Sequence, residues 1–119
     1  MAKIGIIGSK GRMGQALVAA IAAAGHAHAG GADQGDDVAA LVAASDVLVD
    51  FSSPQALQAT LDACVAAGKP IVIGTTGLED AHHAAIDQAA TKIPVLQTGN
   101  TSLGVNMLAA LVEQAASKL

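Results

Sequence analysis

The sequence predicts a doubly wound α/β domain, with a mostly parallel sheet and helices on both faces. Three observations support this prediction. Short apolar runs alternate with longer alanine-rich segments, which is typical of repeated strand–helix units. The apolar runs are short and rich in β-branched residues, as expected of strands covered on both faces. A glycine-rich turn directly follows the first run. The 119 residues suffice for one such domain, so residues 1–119 are expected to form a single unit.

The predicted elements follow from this alternation. Five apolar runs are expected to form strands: Lys3–Gly8, His26–Ala32, Val47–Phe51, Ile71–Gly74 and Val95–Thr98. Five alanine-rich segments are expected to form the helices: Arg12–Ala24, Asp37–Ala44, Pro54–Ala67, Glu79–Thr91 and Gly104–Lys118.

Residues at the predicted helix ends agree with these limits. Ser53 can act as an N-cap, with Pro54 at the first helical position. Gly25 and Gly68 stand where helices commonly stop in a left-handed conformation. Glu79 places negative charge in the first turn of its helix.

The composition excludes several classes of protein. With 52% hydrophobic and 13% charged residues, the chain is globular and not disordered. The net charge of −4, with only six lysines and arginines, argues against a nucleic-acid-binding surface. No apolar run is long enough to span a bilayer, and no secretory signal is recognisable. One cysteine excludes an internal disulfide and cysteine clusters that bind metal. We therefore expect a cytoplasmic protein without a metal site.

The glycine-rich turn predicts a phosphate site. Gly8, Gly11 and Gly14 are spaced G-x-x-G-x-x-G, where the first two allow a tight turn and close approach of a ligand. The third lets the following helix pack closely on the strand. The N–H groups and positive dipole end of that helix would then face a diphosphate. Lys10 and Arg12 add a local positive charge where the phosphates would lie.

Asp33 is the candidate residue for recognising a ribose. It lies about 25 residues after Gly8, close to the roughly 20 residues expected for an acid at the end of the second strand. Its carboxylate could accept both hydroxyls of an adenosine ribose and would repel a 2′-phosphate. Because Gln34 supplies no positive charge, NADH is preferred, with NADPH a possible alternative. The alternative is that Asp33 is a solvated loop acid, since Asp36 and Asp37 follow closely.

Two later strand-to-helix turns are candidates for the nicotinamide end. Gly74–Gly77 places two glycines around two threonines, which permits close backbone approach and hydroxyl hydrogen bonds. The alternative is a plain turn in which Thr76 or a neighbour caps the next helix. Thr98–Thr101 follows the last strand in the same way. There Asn100 could bind the nicotinamide or simply stabilise a turn.

The remaining chemically versatile side chains are expected to be structural. His82 and His83 are adjacent on one helix, so their side chains diverge and are expected to lie on the helix surface. His26 and His28 are assigned to the scaffold, facing the same side of the second strand. Cys64 is expected to be a small core residue of the third helix.

Four segments together resemble a known family. They are Gly8–Gly14, Val49–Pro54, Val72–Gly77 and Asn100–Asn106, which occur in this order and spacing. The sequence is similar to the N-terminal, Rossmann-like NAD(P)-binding domain of 4-hydroxy-tetrahydrodipicolinate reductase, an enzyme of lysine and diaminopimelate biosynthesis also called dihydrodipicolinate reductase. The resemblance covers essentially the whole chain.

The resemblance implies a set of cofactor contacts. It places residues of the glycine turn on the diphosphate, Asp33 on the adenosine ribose, and the two later turns around the nicotinamide ribose and ring. The cofactor-binding residues expected on all of these grounds are Gly8, Ser9, Lys10, Gly11, Arg12, Met13, Asp33, Gly74, Thr75, Thr76, Thr98, Gly99, Asn100 and Thr101. Gln34 stands where family members that use NADP well tend to carry arginine.

The resemblance also implies a second domain that binds the dicarboxylate substrate and donates the proton. That domain carries paired histidines, a lysine and an Asp-Ala-Pro-Ser-Gly-Thr stretch, and the present sequence contains no such motif. We therefore expect this chain to bind the cofactor without catalysing the reaction, and no catalytic residue is assigned. The family's homo-oligomer is expected to depend on the other domain, so the chain itself is expected to be a monomer.

Non-catalytic functions are the alternative. A dinucleotide-sensing module would carry the same motifs and act on a partner chain. A phospho-receiver domain is disfavoured, since it needs acidic residues after the first strand and a lysine after the fifth. Here the first turn contains glycines with Lys10 and Arg12, and Gly99 and Asn100 follow the last strand.

Overall fold

The computed structural model of the chain describes residues 2–33 and 35–97. Over these residues, strands alternate with helices as predicted. The strands are β1 (Lys3–Ile7), β2 (Ala27–Ala32), β3 (Val47–Asp50), β4 (Ile71–Ile73) and β5 (Val95–Gln97). The helices are α1 (Arg12–Ala23), α2 (Val38–Ala44), α3 (Leu57–Ala67), preceded by one 3₁₀ turn at Pro54–Ala56, and α4 (Asp80–Ala90). The predicted helix Gly104–Lys118 lies outside the described residues.

The five strands form one sheet in the order β2-β1-β3-β4-β5. All four neighbouring pairs in this sheet are parallel, which confirms the predicted α/β class. The chain moves outward from β1 to β2 and then returns to the opposite side of β1 to build β3, β4 and β5. The strand order therefore reverses between β1 and β3. In open α/β sheets, ligands bind beyond the carboxyl ends of the strands at this reversal.

Helices cover both faces of the sheet, as expected. Because side chains alternate along a strand, Leu48 of β3 points to one face while Val47 and Val49 point to the other. Helix α1 packs on the Val47 face and contributes Leu17 and Ile21 to the core cluster there. Helices α2, α3 and α4 share the core cluster on the Leu48 face. Because all strands are parallel and each of these helices follows a strand, the helices of both faces begin on the side of the carboxyl ends of the strands.

The ends of two helices differ from the sequence prediction. Ser53 precedes Pro54 as expected, but its side chain makes no capping hydrogen bond. The chain first forms the 3₁₀ turn, in which the Ala56 N–H donates to the Ser53 carbonyl at 3.1 Å. Thr76 does not cap α4. Glu79 is the N-cap, and its N–H donates to Nδ1 of His82 at 2.9 Å, which completes a reciprocal capping box.

The glycine stops of α1 and α3 are confirmed. Gly68 is the C-cap of α3 with φ 69°. Gly25 follows the C-cap of α1 with φ 81°. Both glycines lie in the left-handed region of backbone conformation, which residues with a Cβ rarely adopt.

Within residues 2–33 and 35–97, no helix is long and apolar enough to cross a bilayer.

Candidate functional site

Gly8 lies where the ends of three strands converge. Its N–H donates to the carbonyl of Ala32, the last residue of β2, at 2.8 Å. Its φ of 87° is in the left-handed region, and a Cβ built there would overlap the carbonyl of Phe51, the residue after β3. A side chain would therefore be strained both by conformation and by space. Gly8 allows the chain to turn tightly at the reversal of strand order.

Gly11 and Gly14 have different environments. Gly11 is the N-cap of α1 and has no side chain with which to cap it. A Cβ on Gly11 would make only ordinary contact, at 3.5 Å from the Gly8 carbonyl oxygen. A Cβ on Gly14 would instead overlap that same oxygen and the Ser9 backbone. Gly14 therefore permits close packing of α1 on the turn, as predicted, while Gly11 leaves the first N–H groups of α1 open to a ligand.

Two other residues of the turn, Lys10 and Arg12, are exposed beside the N-terminus of α1. The carbonyl of Lys10 accepts a hydrogen bond from Nε2 of Gln15 at 3.1 Å, which ties the turn to the second turn of the helix. Met13 is half-buried and packs against the core cluster that contains Leu17. The Met13 side chain therefore packs between α1 and the sheet core rather than facing the crevice.

Asp33 is held against the glycine turn. Oγ of Ser9 donates to Oδ2 of Asp33 at 2.7 Å, and the N–H of Lys10 donates to Oδ1 at 3.1 Å. The Asp33 N–H in turn donates to Oδ2 of Asp36 at 2.8 Å. Asp33 is half-buried, while Asp36 is exposed. Asp33 is thus a fixed carboxylate beside the glycine turn, whereas Asp36 and Asp37 are exposed.

The Gly74 turn lies at the end of β4, beside the end of β3. The Gly74 N–H donates to the Asp50 carbonyl at 2.9 Å, and a Cβ on Gly74 would overlap the ring of Phe51. Thr75 is buried, with its Oγ1 donating to the same carbonyl at 3.3 Å. Thr76 is exposed. The glycine therefore leaves room for the Phe51 ring, and Thr76 is the threonine available to a ligand.

Asp50, the last residue of β3, carries a buried carboxyl group. Its Oδ1 accepts the N–H of Ser52 at 3.0 Å and the Oγ–H of Ser52 at 2.5 Å. Burial raises the pKa of this carboxyl group, while the hydrogen bonds from Ser52 oppose the rise. The sequence analysis did not assign Asp50 to the cofactor site. Its position at the strand reversal, directly before the polar Ser52-Ser53 pair, was the available signal.

A crevice of about 730 Å³ opens beyond the ends of β1, β2 and β3. It brings together Gly8, Gly11 and Asp33 among the predicted site residues. Its far wall is formed by the turn after β3, the 3₁₀ turn and the start of α3, and the sequence analysis gave these residues no cofactor contact. They are Ser52, Ser53, Gln55, Ala56, Ala59 and Thr60. The spacing of Ala56, Ala59 and Thr60 puts three small side chains on one helix face. This spacing is the sequence signal from which the wall could have been predicted.

The predicted site is only partly assembled in this one crevice. Gly74, Thr75 and Thr76 do not line it. They connect to it through Ser52, whose N–H also donates to Oγ1 of Thr75 at 3.1 Å. Thr98, Gly99, Asn100 and Thr101 lie outside the described residues. The described geometry therefore joins the glycine turn directly to Asp33, and joins the Gly74 turn to the crevice through one hydrogen bond.

The histidines and the cysteine have structural surroundings. His82 caps α4, a role that the sequence analysis did not assign, and His83 is exposed. His26 precedes β2 and its Nδ1 accepts the N–H of Ala2 at 3.1 Å, whereas the exposed His28 lies within the strand. Cys64 is buried in the core, as predicted. Over the described part of the chain, no three His, Cys, Asp or Glu residues are placed to hold a metal ion.

The sequence matches a known family over most of its length. The sequence model of the family described as "Dihydrodipicolinate reductase, N-terminus" matches residues 2–101. A 4-hydroxy-tetrahydrodipicolinate reductase from Zymomonas mobilis subsp. mobilis is 53% identical over 124 residues, which cover 98% of this chain and 49% of the relative. The enzyme of that name from Alkaliphilus metalliredigens is 46% identical over 118 residues, with the same coverage of 98% and 49%. The chain spans about half the length of these curated relatives.

A solved structure shows the same fold. It is a dipicolinate-bound dihydrodipicolinate reductase from Paenisporosarcina sp. TG-14, which superposes with a TM-score of 0.62. The alignment covers 84% of this chain and 48% of the other, at 19% sequence identity. This likeness supports the doubly wound architecture.

Proposed function

The chain belongs to the dihydrodipicolinate reductase family and corresponds to its N-terminal domain, and from this premise we propose that it binds a nicotinamide dinucleotide across the carboxyl ends of β1, β2 and β3. The diphosphate lies at the glycine turn, on the first N–H groups of α1. Lys10 and Arg12 flank it. The adenosine half lies toward Asp33, and the nicotinamide half lies toward the Gly74 turn.

The contact between Asp33 and the glycine turn carries this proposal. It places a carboxylate with two acceptor oxygens at the rim of a crevice large enough for a nucleoside, next to an uncapped helix N-terminus. The two hydroxyl donors of a ribose match the carboxylate, and the two anionic groups of a diphosphate match the helix N-terminus. Ser9 and Lys10 hold the carboxylate in place before the ribose binds, so little ordering is required on binding.

The same geometry favours NADH over NADPH. The Asp33 carboxylate would face a 2′-phosphate directly, and the two negative charges would repel each other. A Lys or Arg that pairs with the phosphate commonly offsets this repulsion. Gln34 follows Asp33 in the sequence and offers no such charge. The 2′-hydroxyl of NADH instead supplies a hydrogen for the carboxylate to accept.

The nicotinamide half is proposed to rest on the Gly74 turn. Gly74 and Thr75 are already fixed to the end of β3, and Thr76 is exposed beside them. Thr98, Gly99, Asn100 and Thr101 are assigned to the same pocket from the sequence. The protein positions the cofactor, while the nicotinamide itself carries the hydride.

For the whole protein we propose reduction of a cyclic dicarboxylate, as in the family to which the chain belongs. The hydride passes from the reduced nicotinamide to an unsaturated carbon, and a second domain supplies the proton and the groups that bind the carboxylates. The 119-residue chain contains no segment resembling that domain's motif, so we expect it to bind NADH without turnover above background.

Calorimetric titration of the 119-residue chain with NADH and NADPH tests the proposal. We expect saturable binding of both, with NADH bound more tightly, and loss of that preference in Asp33→Ala. The matched control is Asp87→Ala, which removes an exposed acid from α4 and leaves the preference unchanged. Unchanged relative affinities in a folded Asp33→Ala variant would refute the ribose assignment. Absence of binding by the unmodified chain would refute the proposed function.

A further inference from the structure

The buried Asp50 carboxyl group has one satisfied and one unsatisfied oxygen. Oδ1 accepts two hydrogen bonds from Ser52. Within the part of the chain that the structure describes, Oδ2 is buried and accepts none. An unpaired oxygen of a buried carboxyl group is unfavourable and uncommon in native proteins, so its presence calls for an explanation. A small apolar residue at the end of β3 would avoid this cost.

Asp50 is the centre of a compact hydrogen-bonded network. Its carboxyl group holds the N–H and the hydroxyl of Ser52, and its main-chain carbonyl accepts from Gly74 and from Thr75. The network is closed by Thr75, whose Oγ1 accepts the Ser52 N–H while donating to the Asp50 carbonyl. The turns after β3 and β4 are therefore fixed relative to one another by a single residue.

The bond from Ser52 to Asp50 also determines how Ser52 faces the crevice. The Ser52 hydroxyl carries only one hydrogen, and that hydrogen is donated to Oδ1 of Asp50. Ser52 lines the crevice together with Gly8 and Gly11. Its hydroxyl oxygen can therefore only accept hydrogen bonds from a ligand.

We propose that Asp50 is a positioning residue for the nicotinamide half of the dinucleotide, acting through Ser52. It holds the Ser52 hydroxyl as an acceptor for a donor on the ligand and ties that hydroxyl to the Gly74 turn. The donor is either a hydroxyl of the nicotinamide ribose or the N–H of the carboxamide. This inference rests on the proposed function, since it assumes that a dinucleotide occupies the crevice.

Three probes separate the parts of the ligand. ADP contains the adenosine and the diphosphate, ADP-ribose adds the second ribose, and NADH adds the nicotinamide. For Ser52→Ala we expect roughly a fivefold or greater loss of NADH affinity, as for one hydrogen bond, with ADP affinity unchanged. If the donor is the ribose, ADP-ribose loses affinity as NADH does. If it is the carboxamide, ADP-ribose is unaffected.

Asp50 variants test whether it acts through Ser52. Asp50→Ala should weaken NADH binding as Ser52→Ala does, and the double variant should be no weaker than either single one. Asp50→Asn should recover part of the affinity, because its amide oxygen can accept the same two hydrogen bonds. Equal losses for NADH and ADP, or additive losses in the double variant, would overturn the inference.

Two further outcomes are decisive. If Asp50→Ala does not fold, Asp50→Asn takes its place, and Ser52→Ala tests the Ser52 contact independently, because its exposed side chain is not part of the core. An unchanged ratio of NADH to ADP affinity in Ser52→Ala overturns the inference. Failure of the unmodified chain to bind either NADH or ADP would instead refute the proposed function.

Discussion

Asp33 and Ser9 are joined by a hydrogen bond of 2.7 Å from the serine hydroxyl to the carboxylate, which links the end of β2 to the turn after β1. The bond fixes a negatively charged group beside a turn that otherwise carries positive charge, on Lys10 and Arg12. Under the proposed function, the ribose of a nucleotide supplies hydroxyl hydrogens to this carboxylate, which inorganic phosphate lacks. We therefore expect the turn to bind a nucleotide more tightly than inorganic phosphate.

Gly14→Ala is expected to destabilise the fold by about 1–3 kcal/mol, as is usual for overpacking. The new Cβ would overlap the Gly8 carbonyl oxygen and the Ser9 backbone, so α1 must shift away from the turn. Gly11→Ala is the matched control, since its Cβ has room, and it should cost less than about 1 kcal/mol. Urea unfolding followed by circular dichroism measures both. Equal stability of the two variants would contradict the packing assigned to Gly14.

His82→Ala is expected to lower the free energy of unfolding by about 0.5–2 kcal/mol, the usual range for loss of a helix cap. The variant loses the acceptor for the Glu79 N–H and thus one half of the capping box. His83→Ala, next to it on α4, removes an exposed ring and should change stability little. Thermal unfolding of the two variants side by side checks this. A larger effect at His83 would show that the capping assignment is wrong.

Cys64 is expected to be inert in the folded chain. Burial and the nearby negative charge of Asp50 raise the pKa of its thiol to about 12, so little of the reactive thiolate exists at pH 8. Reaction with an aromatic disulfide reagent should therefore be slow in buffer and fast in denaturant. Because the sequence contains one cysteine, the released chromophore reports this thiol alone. Rapid labelling of the folded chain would place Cys64 at the surface.

The Asp50 carboxyl group predicts a pH dependence of stability. Burial raises its pKa above the ordinary 3.8, so the folded chain retains this proton at pH values where the unfolded chain has lost it. Folding then takes up a proton, and this group's contribution to stability declines as pH rises above about 3.8 until its folded pKa is passed.

Comparison with Asp50→Asn isolates that contribution. The free energy of unfolding of the unmodified chain, relative to Asp50→Asn, should decrease as pH rises through this window. Chemical denaturation at several pH values between 4 and 8 gives the difference directly. Cys64, the titratable group that shares this environment, ionises far above this range. A difference that grows with pH would show that the pKa of Asp50 is lowered in the fold.

The sequence was sufficient to predict the alternation of strands and helices, because each apolar run and each glycine stop is a local signal. It also predicted the glycine turn and Asp33, since both follow a strand end directly. The sequence did not predict the strand order, because that order depends on which strands pair across the whole sheet. It is this pairing that brings Gly8 beside Phe51 and sets the crevice between them.

The site residues that the sequence analysis missed depend on distant contacts. Asp50 acquires its surroundings from Ser52 nearby and from Thr75 at the end of another strand, and the part played by Thr75 is not visible in the local sequence. The wall formed by Ala56, Ala59 and Thr60 consists of small side chains, which are common in every helix of this chain. The sequence analysis assigned His82 to the helix surface. Its hydrogen bond with the Glu79 N–H depends on Glu79 being the N-cap of α4, which the sequence analysis did not predict.

Titration of the uniformly ¹⁵N-labelled chain with NADH, followed by amide chemical shifts, tests the central claim most directly. We expect saturable changes that are largest for the amides of the turn at residues 8–14 and for Asp33, with further changes at Gly74, Thr75 and Thr76. ADP should reproduce the first group of changes but not the second. Changes confined to the groove between α3 and α4, lined by Gln58, Asp62 and Lys92, or no saturable change at the glycine turn, would contradict the account.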